Sequence, residues 1–237
     1  MASYSGITPS SKTDRLYYFD TYVSGLSAVV TEHAIAGVNS YIVTNQTVFH
    51  PQGGGQPSDS GAFTFKGEVY EVTRLEEDRE RGCIKHYYSH RDDLSGLEGE
   101  TVSLTIDIGK RLLYAKLHTG GHLIANLVQD VYPQLRGYKG NHFPGGQAYV
   151  VFKGSPLPPP KELEEKVNSQ LGSIIAEKRA VHVDNDTSPR RVRIEGYESH
   201  PCGGTHVKNT EELEGISIRS VRKIKQELKV GYNLPEA

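Results

Sequence analysis

The chain has 237 residues, of which 36% are hydrophobic and 24% charged, and its formal net charge is −2. This length and composition predict a globular protein with one large domain or two small ones. They exclude a transmembrane helix, because no apolar run approaches the roughly 20 residues that a membrane span needs, and the near-neutral charge argues against a generic nucleic-acid binder.

The N-terminal segment, residues 1–15, is rich in Ser and Thr and predicts a flexible tail rather than a secretory signal or a transit peptide. The sequence contains only two cysteines, Cys83 and Cys202. A chain of this size without a disulfide framework fits a reducing compartment, so we expect a cytoplasmic protein with no membrane association.

Residues 16–105 show short segments rich in β-branched and aromatic residues, several of which alternate polar with apolar positions. Gly67 and Gly96 supply turns between them. This pattern predicts a small closed or nearly closed β-barrel domain. The expected strands are 27–30, 40–43, 47–49, 62–65, 69–72, 83–88 and 101–105.

One loop of this domain, residues 51–61, contains three consecutive glycines at 53–55. Such glycines expose backbone N–H groups and permit a ligand to approach closely. The loop is not a Walker phosphate loop, since no Gly-Lys-Ser/Thr follows it. A ligand-binding loop and a flexible hairpin tip both remain open from these residues.

After residue 107 the hydrophobic period changes from two to about 3.6. Leu113, Leu117, Ile124 and Val128 predict a helix over 108–131, and a second stripe predicts a helix over 161–180. Strand-like segments at 147–153, 181–183, 192–195 and 216–221 accompany them. We therefore expect residues 106–237 to form an α+β domain with helices packed on an antiparallel sheet, which makes the whole chain α+β.

Two short motifs carry the metal-binding signal. His118 and His122 lie four residues apart on one face of the predicted helix, and Cys202 and His206 have the same spacing. Zinc accepts nitrogen and sulfur ligands in a tetrahedral shell, so the four residues together predict a zinc site. Each pair taken alone is more typical of solvent-facing or core side chains.

Two rival chemistries use the same residues. The metalloprotease pattern H-E-x-x-H needs a glutamate where this chain has Thr119, which excludes that class. A nucleophilic Cys202 with His206 as its base remains open, although it leaves His118 and His122 unexplained.

Charge is distributed unevenly along the chain. Five cations lie in 219–229 and three arginines in 190–193, while acidic residues gather at 76–80 and 211–214. Such segregation gives a neutral protein a positive face that can meet phosphates. Ordinary solvated surface charge is the alternative.

Three motifs in this order resemble the free-standing alanyl-tRNA editing proteins and the editing domain of alanyl-tRNA synthetase. They are Gly-Gly-Gly-Gln-Pro-Ser-Asp-Ser-Gly at 53–61, His-Thr-Gly-Gly-His at 118–122 and Cys-Gly-Gly-Thr-His at 202–206. Arg111 also matches an arginine common at the start of that family's metal-binding helix. The resemblance extends from about Leu16 to Tyr232.

The resemblance implies zinc held by His118, His122, Cys202 and His206. It also implies hydrolysis of the ester that joins a wrong amino acid, serine or glycine, to the tRNA for alanine. The chain would act in trans on the mischarged tRNA, without ATP, and we expect a monomer. The candidate catalytic residues are Gln56, Thr119 and Thr205, and the candidate substrate-binding residues are Gly54, Gly55, Asp59, Arg111, Gly203 and Gly204.

Three questions stay open at this level. Four protein ligands fill a tetrahedral zinc shell, so a non-catalytic, zinc-stabilised RNA-binding module is the alternative function. Sparing alanine requires a contact to the serine hydroxyl, for which Thr119 and Thr205 are candidates. The segment 138–147 departs from the family's pattern, so His142 is either an extra polar group near the site or a loop histidine.

Overall fold

A computed structural model describes residues 12–35, 40–89, 94 and 96–235 of the chain. These residues form two compact units. The first comprises residues up to Pro51 together with Ser58–Ile108, and the second comprises Gln52–Pro57 together with the chain from Gly109 onward. The Gly-rich loop is therefore divided, because its residues 52–57 pack with the second unit.

The first unit is a closed antiparallel barrel of six strands in the order β2-β3-β7-β6-β5-β8, which confirms the barrel that the sequence predicts. A short parallel pair, β1 with β4, accompanies it. The strands are β1 Asp14–Arg15, β2 Gly25–Ala34, β3 Tyr41–Thr44, β4 Gln46–Thr47, β5 Gly61–Phe65, β6 Glu68–Asp78, β7 Cys83–Tyr88 and β8 Thr101–Ile106.

Strict alternation in β8 shows why the barrel forms. Val102, Leu104 and Ile106 are buried, while the intervening hydroxyl side chains are exposed. A strand with this period places one face in the core and the other in solvent. The inward residues join Phe63, Ile84 and other apolar side chains of the barrel core.

The end of the predicted tail pairs with the barrel. Residues 1–11 lie outside the described part of the chain, but Asp14 and Arg15 pair with β4. Thr13 is 1% exposed. Its hydroxyl donates a 2.8 Å hydrogen bond to the carbonyl of Thr44. Backbone pairing and this buried hydroxyl fix residues that composition alone predicts to be mobile.

The second unit packs two helices with antiparallel sheets, which confirms the α+β class. A four-stranded sheet has the order β14-β15-β10-β9, and a three-stranded sheet has the order β11-β12-β13. The elements are α1 Ile108–Val131, β9 Arg136–Asn141, β10 Tyr149–Lys153, α2 Pro160–Ala176, β11 Val181–Asp184, β12 Arg191–Ile194, β13 His200–Pro201, β14 Ser217–Ile224 and β15 Glu227–Asn233.

The apolar stripes of both helices form the core of this unit. Leu117, Ile124 and Val128 of α1 pack in one cluster with Phe152 of β10 and Leu228 of β15. The helix α2 ends at Ala176 rather than at the predicted residue 180. Lys178 adopts a left-handed φ of 52°, which cannot continue a right-handed helix. Among the described residues, no helix is both long and apolar enough to span a bilayer.

His86 is a fully buried imidazole in the barrel wall. Its Nδ1 lies 3.3 Å from the carbonyl oxygen of Ile42, which can only accept, so Nδ1 carries the proton. The Thr47 hydroxyl, 2.8 Å away, therefore donates to Nε2. Burial lowers the pKa of His86 to about 4. The barrel is thus built around the neutral imidazole.

We expect barrel stability to fall as the pH drops. Below about pH 6.5 the unfolded chain protonates His86, whereas the folded chain resists protonation down to about pH 4, so the unfolded state binds more protons in this window. The His86 contribution to this loss reaches about 3 kcal/mol. Urea unfolding of the parent and of His86→Gln at pH 7 and pH 4.5 measures it. An equal loss in both proteins would contradict the assignment.

Candidate metal centre and active site

His118 lies on α1 with its ring orientation fixed by Gln56. The Gln56 Oε1 accepts the backbone N–H of Thr205 at 2.9 Å, which identifies it as the oxygen. The His118 Nδ1 lies 2.9 Å from that oxygen and must donate to it. The imidazole therefore carries its lone pair on Nε2. The Gln56 amide also donates to the Thr205 hydroxyl at 2.9 Å.

Thr119 performs the same task for His206. Its hydroxyl donates to the carbonyl of Ala115 at 2.8 Å and accepts the backbone N–H of Val207 at 3.2 Å. The His206 Nδ1 lies 3.1 Å from the same hydroxyl oxygen, so this nitrogen is the donor. The lone pair of His206 again falls on Nε2. Thr119 and Gln56 thus set the tautomers of two predicted ligands.

The four predicted ligands converge. Cys202 Sγ lies 3.4 Å from His118 Nε2 and 3.2 Å from His206 Nε2. Including His122, the ligand atoms all lie within 4.8 Å of one another. Tetrahedral zinc with bonds of about 2.0 Å to nitrogen and 2.3 Å to sulfur has ligand–ligand separations of roughly 3.5 Å. The group could hold a metal ion, and its donor set and spacing fit zinc.

The surrounding protein favours neutral side chains here. Burial, together with the nearby His142 and His200, lowers the pKa of His122 to about 3, and burial raises the pKa of the Cys202 thiol. Neutral imidazole is the form that binds metals. A raised thiol pKa opposes the free thiolate that a nucleophilic Cys202 requires, whereas a bound cation stabilises the thiolate. The electrostatics favour the metal-site interpretation over the cysteine nucleophile.

The glycines of the motifs make room for these groups. A Cβ on Gly204 would lie 2.1 Å from His118 Nδ1 and 2.8 Å from Gln56 Oε1. One on Gly121 would lie 2.4 Å from His142 Cε1, and one on Gly55 would lie 2.6 Å from the Gly140 carbonyl oxygen. Gly55 also has a φ of 81°, which favours glycine. These positions therefore admit neighbouring groups that any side chain would displace.

A cavity of about 320 Å³ opens onto the cluster. Its lining includes His118, His122, Cys202, Gly54, Gly203 and His142. Gln56, Thr119 and Thr205 are completely buried behind it. Of the residues that the sequence predicts to bind substrate, Gly54 and Gly203 thus face the cavity.

His142 also belongs to this group. Its backbone N–H donates to the Gly55 carbonyl at 2.8 Å, and its ring stacks on His118 with centroids 4.5 Å apart. The hydroxyl of Tyr232 donates to the Leu117 carbonyl at 2.8 Å, so His142 Nδ1, at 2.6 Å, donates to that hydroxyl. No described residue forms a hydrogen bond with His142 Nε2. This nitrogen is an acceptor on a side chain that lines the cavity.

Two other predicted residues occupy different places. Asp59 belongs to the first unit, where its carboxylate accepts the backbone N–H of His50 at 2.6 Å. Arg111 lies on α1 and is completely buried.

Arg190 is a further residue of the site, although its sequence position indicates only a basic cluster. One guanidinium nitrogen of Arg190 donates to the carbonyls of Cys202 and Gly204 at 2.9 Å each. Arg190 also accepts the Cys202 N–H at its own carbonyl, again at 2.9 Å. It therefore holds the ligand loop, and no spacing in the sequence signals that role.

The known proteins that this chain resembles include alanyl-tRNA editing proteins and alanine–tRNA ligases. Residues 190–229 match the family model described as the threonyl and alanyl tRNA synthetase second additional domain. The chain is 31% identical over 232 residues to the alanyl-tRNA editing protein AlaX-M of Methanosarcina barkeri, covering 87% of this chain and 92% of that protein. Identity to the AlaX-M protein of Pyrococcus horikoshii is 32% over 209 residues, covering 86% and 89%. The alanine–tRNA ligase of Sulfurisphaera tokodaii is 27% identical, and the match covers 90% of this chain but 25% of the ligase.

Proposed function

Since the chain belongs to the family of alanyl-tRNA editing proteins, we propose that it hydrolyses seryl or glycyl esters on the tRNA for alanine, acting in trans and with zinc. The observation that carries this proposal is the convergence of three imidazole nitrogens and one thiol. Of these residues, His118, His122 and Cys202 line a cavity. Hydrolysis of an aminoacyl ester is downhill, so the reaction needs no ATP.

The ion would be held by His118, His122, Cys202 and His206. It would supply stabilisation of developing negative charge or an anchor for a polar group of the substrate. Gln56 and Thr119 act as positioning residues, because each fixes the tautomer of one ligand. Thr205 holds the Gln56 amide in place. An aminoacyl ester is already activated, so orientation of the ester and of the attacking water supplies most of the remaining catalysis.

Gly54 and Gly203 line the cavity and carry no side chain, so the terminal nucleotide of the tRNA can lie against their backbone. Gly55 and Gly204 lie beneath this surface, where the absence of a side chain permits close packing of Gly140 and His118. The glycines thus have two roles. Two form the contact surface, and two permit the packing beneath it.

A deacylation assay tests the function. Purified, zinc-loaded protein is incubated with the tRNA for alanine charged with serine, glycine or alanine, and the remaining ester is measured over time. We expect loss of the seryl or glycyl ester and retention of the alanyl ester. If none of the three is hydrolysed, the protein is the non-catalytic RNA-binding module instead.

Selectivity for serine over alanine requires a partner for the serine hydroxyl. Thr119, a candidate from the sequence, already donates one hydrogen bond and accepts two. By contrast, no described residue forms a hydrogen bond with His142 Nε2. The His142 side chain also lines the cavity beside His118. We therefore assign the hydroxyl contact to His142, with the Tyr232 hydroxyl holding the required tautomer.

His142→Phe is expected to retain the ring stacked on His118 while removing the acceptor. The seryl ester should lose about ten- to a hundredfold in kcat/KM, the effect of one lost hydrogen bond to a polar group. The glycyl ester has no hydroxyl, so its kcat/KM should stay close to the parent value. Equal losses for the two esters would indicate a structural role only, and unchanged values for both would exclude the contact.

A further inference from the structure

The four-stranded sheet of the second unit has a second face that the hydrophobic core does not use. Phe152, Leu228 and Val230 lie in the core with the helices. Side chains alternate along a strand, so Lys153 of β10 and Lys229 of β15 point to the opposite face. We call this the open sheet face. Its charged side chains are Arg136, Lys139, Lys153, Arg222, Glu227 and Lys229.

Like charges stand directly opposite one another on this face. Lys229 pairs in register with Arg222 of β14, and Lys153 pairs with Arg136 of β9. Cross-strand pairs of like charge destabilise a sheet. On the described strands, the register places five cations on this face with a single carboxylate, that of Glu227, which lies 3.6 Å from Lys153 Nζ. An anionic partner would offset this repulsion.

Two aromatic rings hold the lysines in place. Lys229 Nζ lies 3.6 Å from the ring centroid of Tyr149, and Lys153 Nζ lies 4.1 Å from that of Tyr138. The ammonium groups therefore cover the rings that could otherwise stack on bases. Such a surface suits phosphates, because it offers point charges whose positions the rings hold.

The face remains accessible and lies beside the cavity. Arg222 and Arg136 are exposed. The side chain of Lys153 is 60% exposed. Tyr138 and Lys139 of the edge strand β9 line the cavity above the metal ligands. A partner that spans the open sheet face is thus positioned to place its end in the cavity.

We propose that the open sheet face binds the phosphate backbone of a helical RNA stem, the one whose 3′ end carries the ester. This inference rests on the proposed function for the choice of RNA. A-form duplexes are bound mainly through shape and backbone contacts, so the interaction is independent of sequence.

Binding of uncharged tRNA, measured by fluorescence anisotropy at several salt concentrations, tests the proposal without requiring turnover. Arg222→Glu should weaken binding about tenfold, and Arg222→Gln should lower the slope of log affinity against log salt by about one. In deacylation, Arg222→Glu should raise KM and leave kcat unchanged. Lys161→Glu changes the same charge on the exposed first turn of α2 and should bind as the parent does.

The outcomes separate the two proposals. Weaker binding in Arg222→Glu with no hydrolysis by the parent supports the face and rejects the enzyme. Hydrolysis by the parent with unchanged affinity and salt slope in both Arg222 variants rejects the face. If Lys161→Glu weakens tRNA binding as much as Arg222→Glu does, the loss of affinity reflects only the net charge of the protein. Tight binding to phosphatidylserine vesicles that Arg222→Glu abolishes, with tRNA affinity unchanged, would assign the face to a membrane.

Discussion

Cys202→Ala is expected to release the metal and abolish deacylation. The variant removes the sulfur that lies 3.4 Å and 3.2 Å from the Nε2 atoms of His118 and His206. Loss of a residue that merely orients a ligand typically costs ten- to a hundredfold in metal affinity, so loss of a ligand should cost more than about a hundredfold. Zinc per chain, measured by atomic emission, and kcat/KM for the seryl ester report the two effects.

Cys83→Ala is the matched control for this variant. Cys83 is a completely buried thiol of β7 in the barrel, so its loss removes the same chemical group from a different place. We expect some loss of stability, because a buried methylene-sized group leaves a small cavity, but unchanged zinc content. Stoichiometric zinc in Cys202→Ala would show that the ligand set is misassigned.

Gly204→Ala should damage the same site without touching a ligand. The new methyl group would lie 2.1 Å from His118 Nδ1, well inside van der Waals contact, and 2.8 Å from Gln56 Oε1. Either the His118 ring or the ligand loop must move, and the hydrogen bond that fixes the His118 tautomer breaks. We expect a loss of zinc affinity of about ten- to a hundredfold, with a parallel loss of kcat/KM. Competition with a zinc-binding dye measures the affinity.

Gly172→Ala is the corresponding control. Gly172 lies on the exposed side of α2, and a Cβ there would meet no atom within 4 Å. Alanine in a helix is favoured over glycine by roughly 0.5–1 kcal/mol, so this variant should be slightly more stable and should bind zinc normally. Parent-like zinc affinity in Gly204→Ala would mean that the loop is free to shift and that the glycine is not required.

The sequence predicted those parts of the fold that local pattern determines. In both β8 and α1, one face of the element packs on a hydrophobic core. The period of apolar residues within each element is therefore enough to predict it. The strands β9 and β15 escaped prediction for different reasons. β9 contains two glycines and little β propensity, and its pairing with β10 makes it a strand. In β15 the charged residues Glu227 and Lys229 obscured the buried Leu228, Val230 and Tyr232.

The candidate site divides in the same way. Spacing within one helix and within one loop predicted the four residues that converge, since each pair is local. The roles of His142 and Arg190 depend on contacts with Tyr232 and with the Cys202 carbonyl, which are remote in sequence. The Thr119 hydroxyl was predicted near the metal, but its bonding pattern depends on Val207 and His206. Contacts between residues far apart in the chain produce no periodic pattern in the sequence, so the sequence alone does not predict them.

The division of the Gly-rich loop between the two units limits which fragments of the chain can contain a supported metal site. Residues 52–57 lie in sequence between two strands of the barrel unit, β4 and β5, yet they belong to the second unit. Any contiguous fragment that begins after the barrel therefore leaves out Gln56 and releases the His118 tautomer. Gene fusion, domain exchange or recombination at the junction near residue 108 separates the site from its own support. A contiguous fragment that preserves the support of His118 must therefore begin before Gln56.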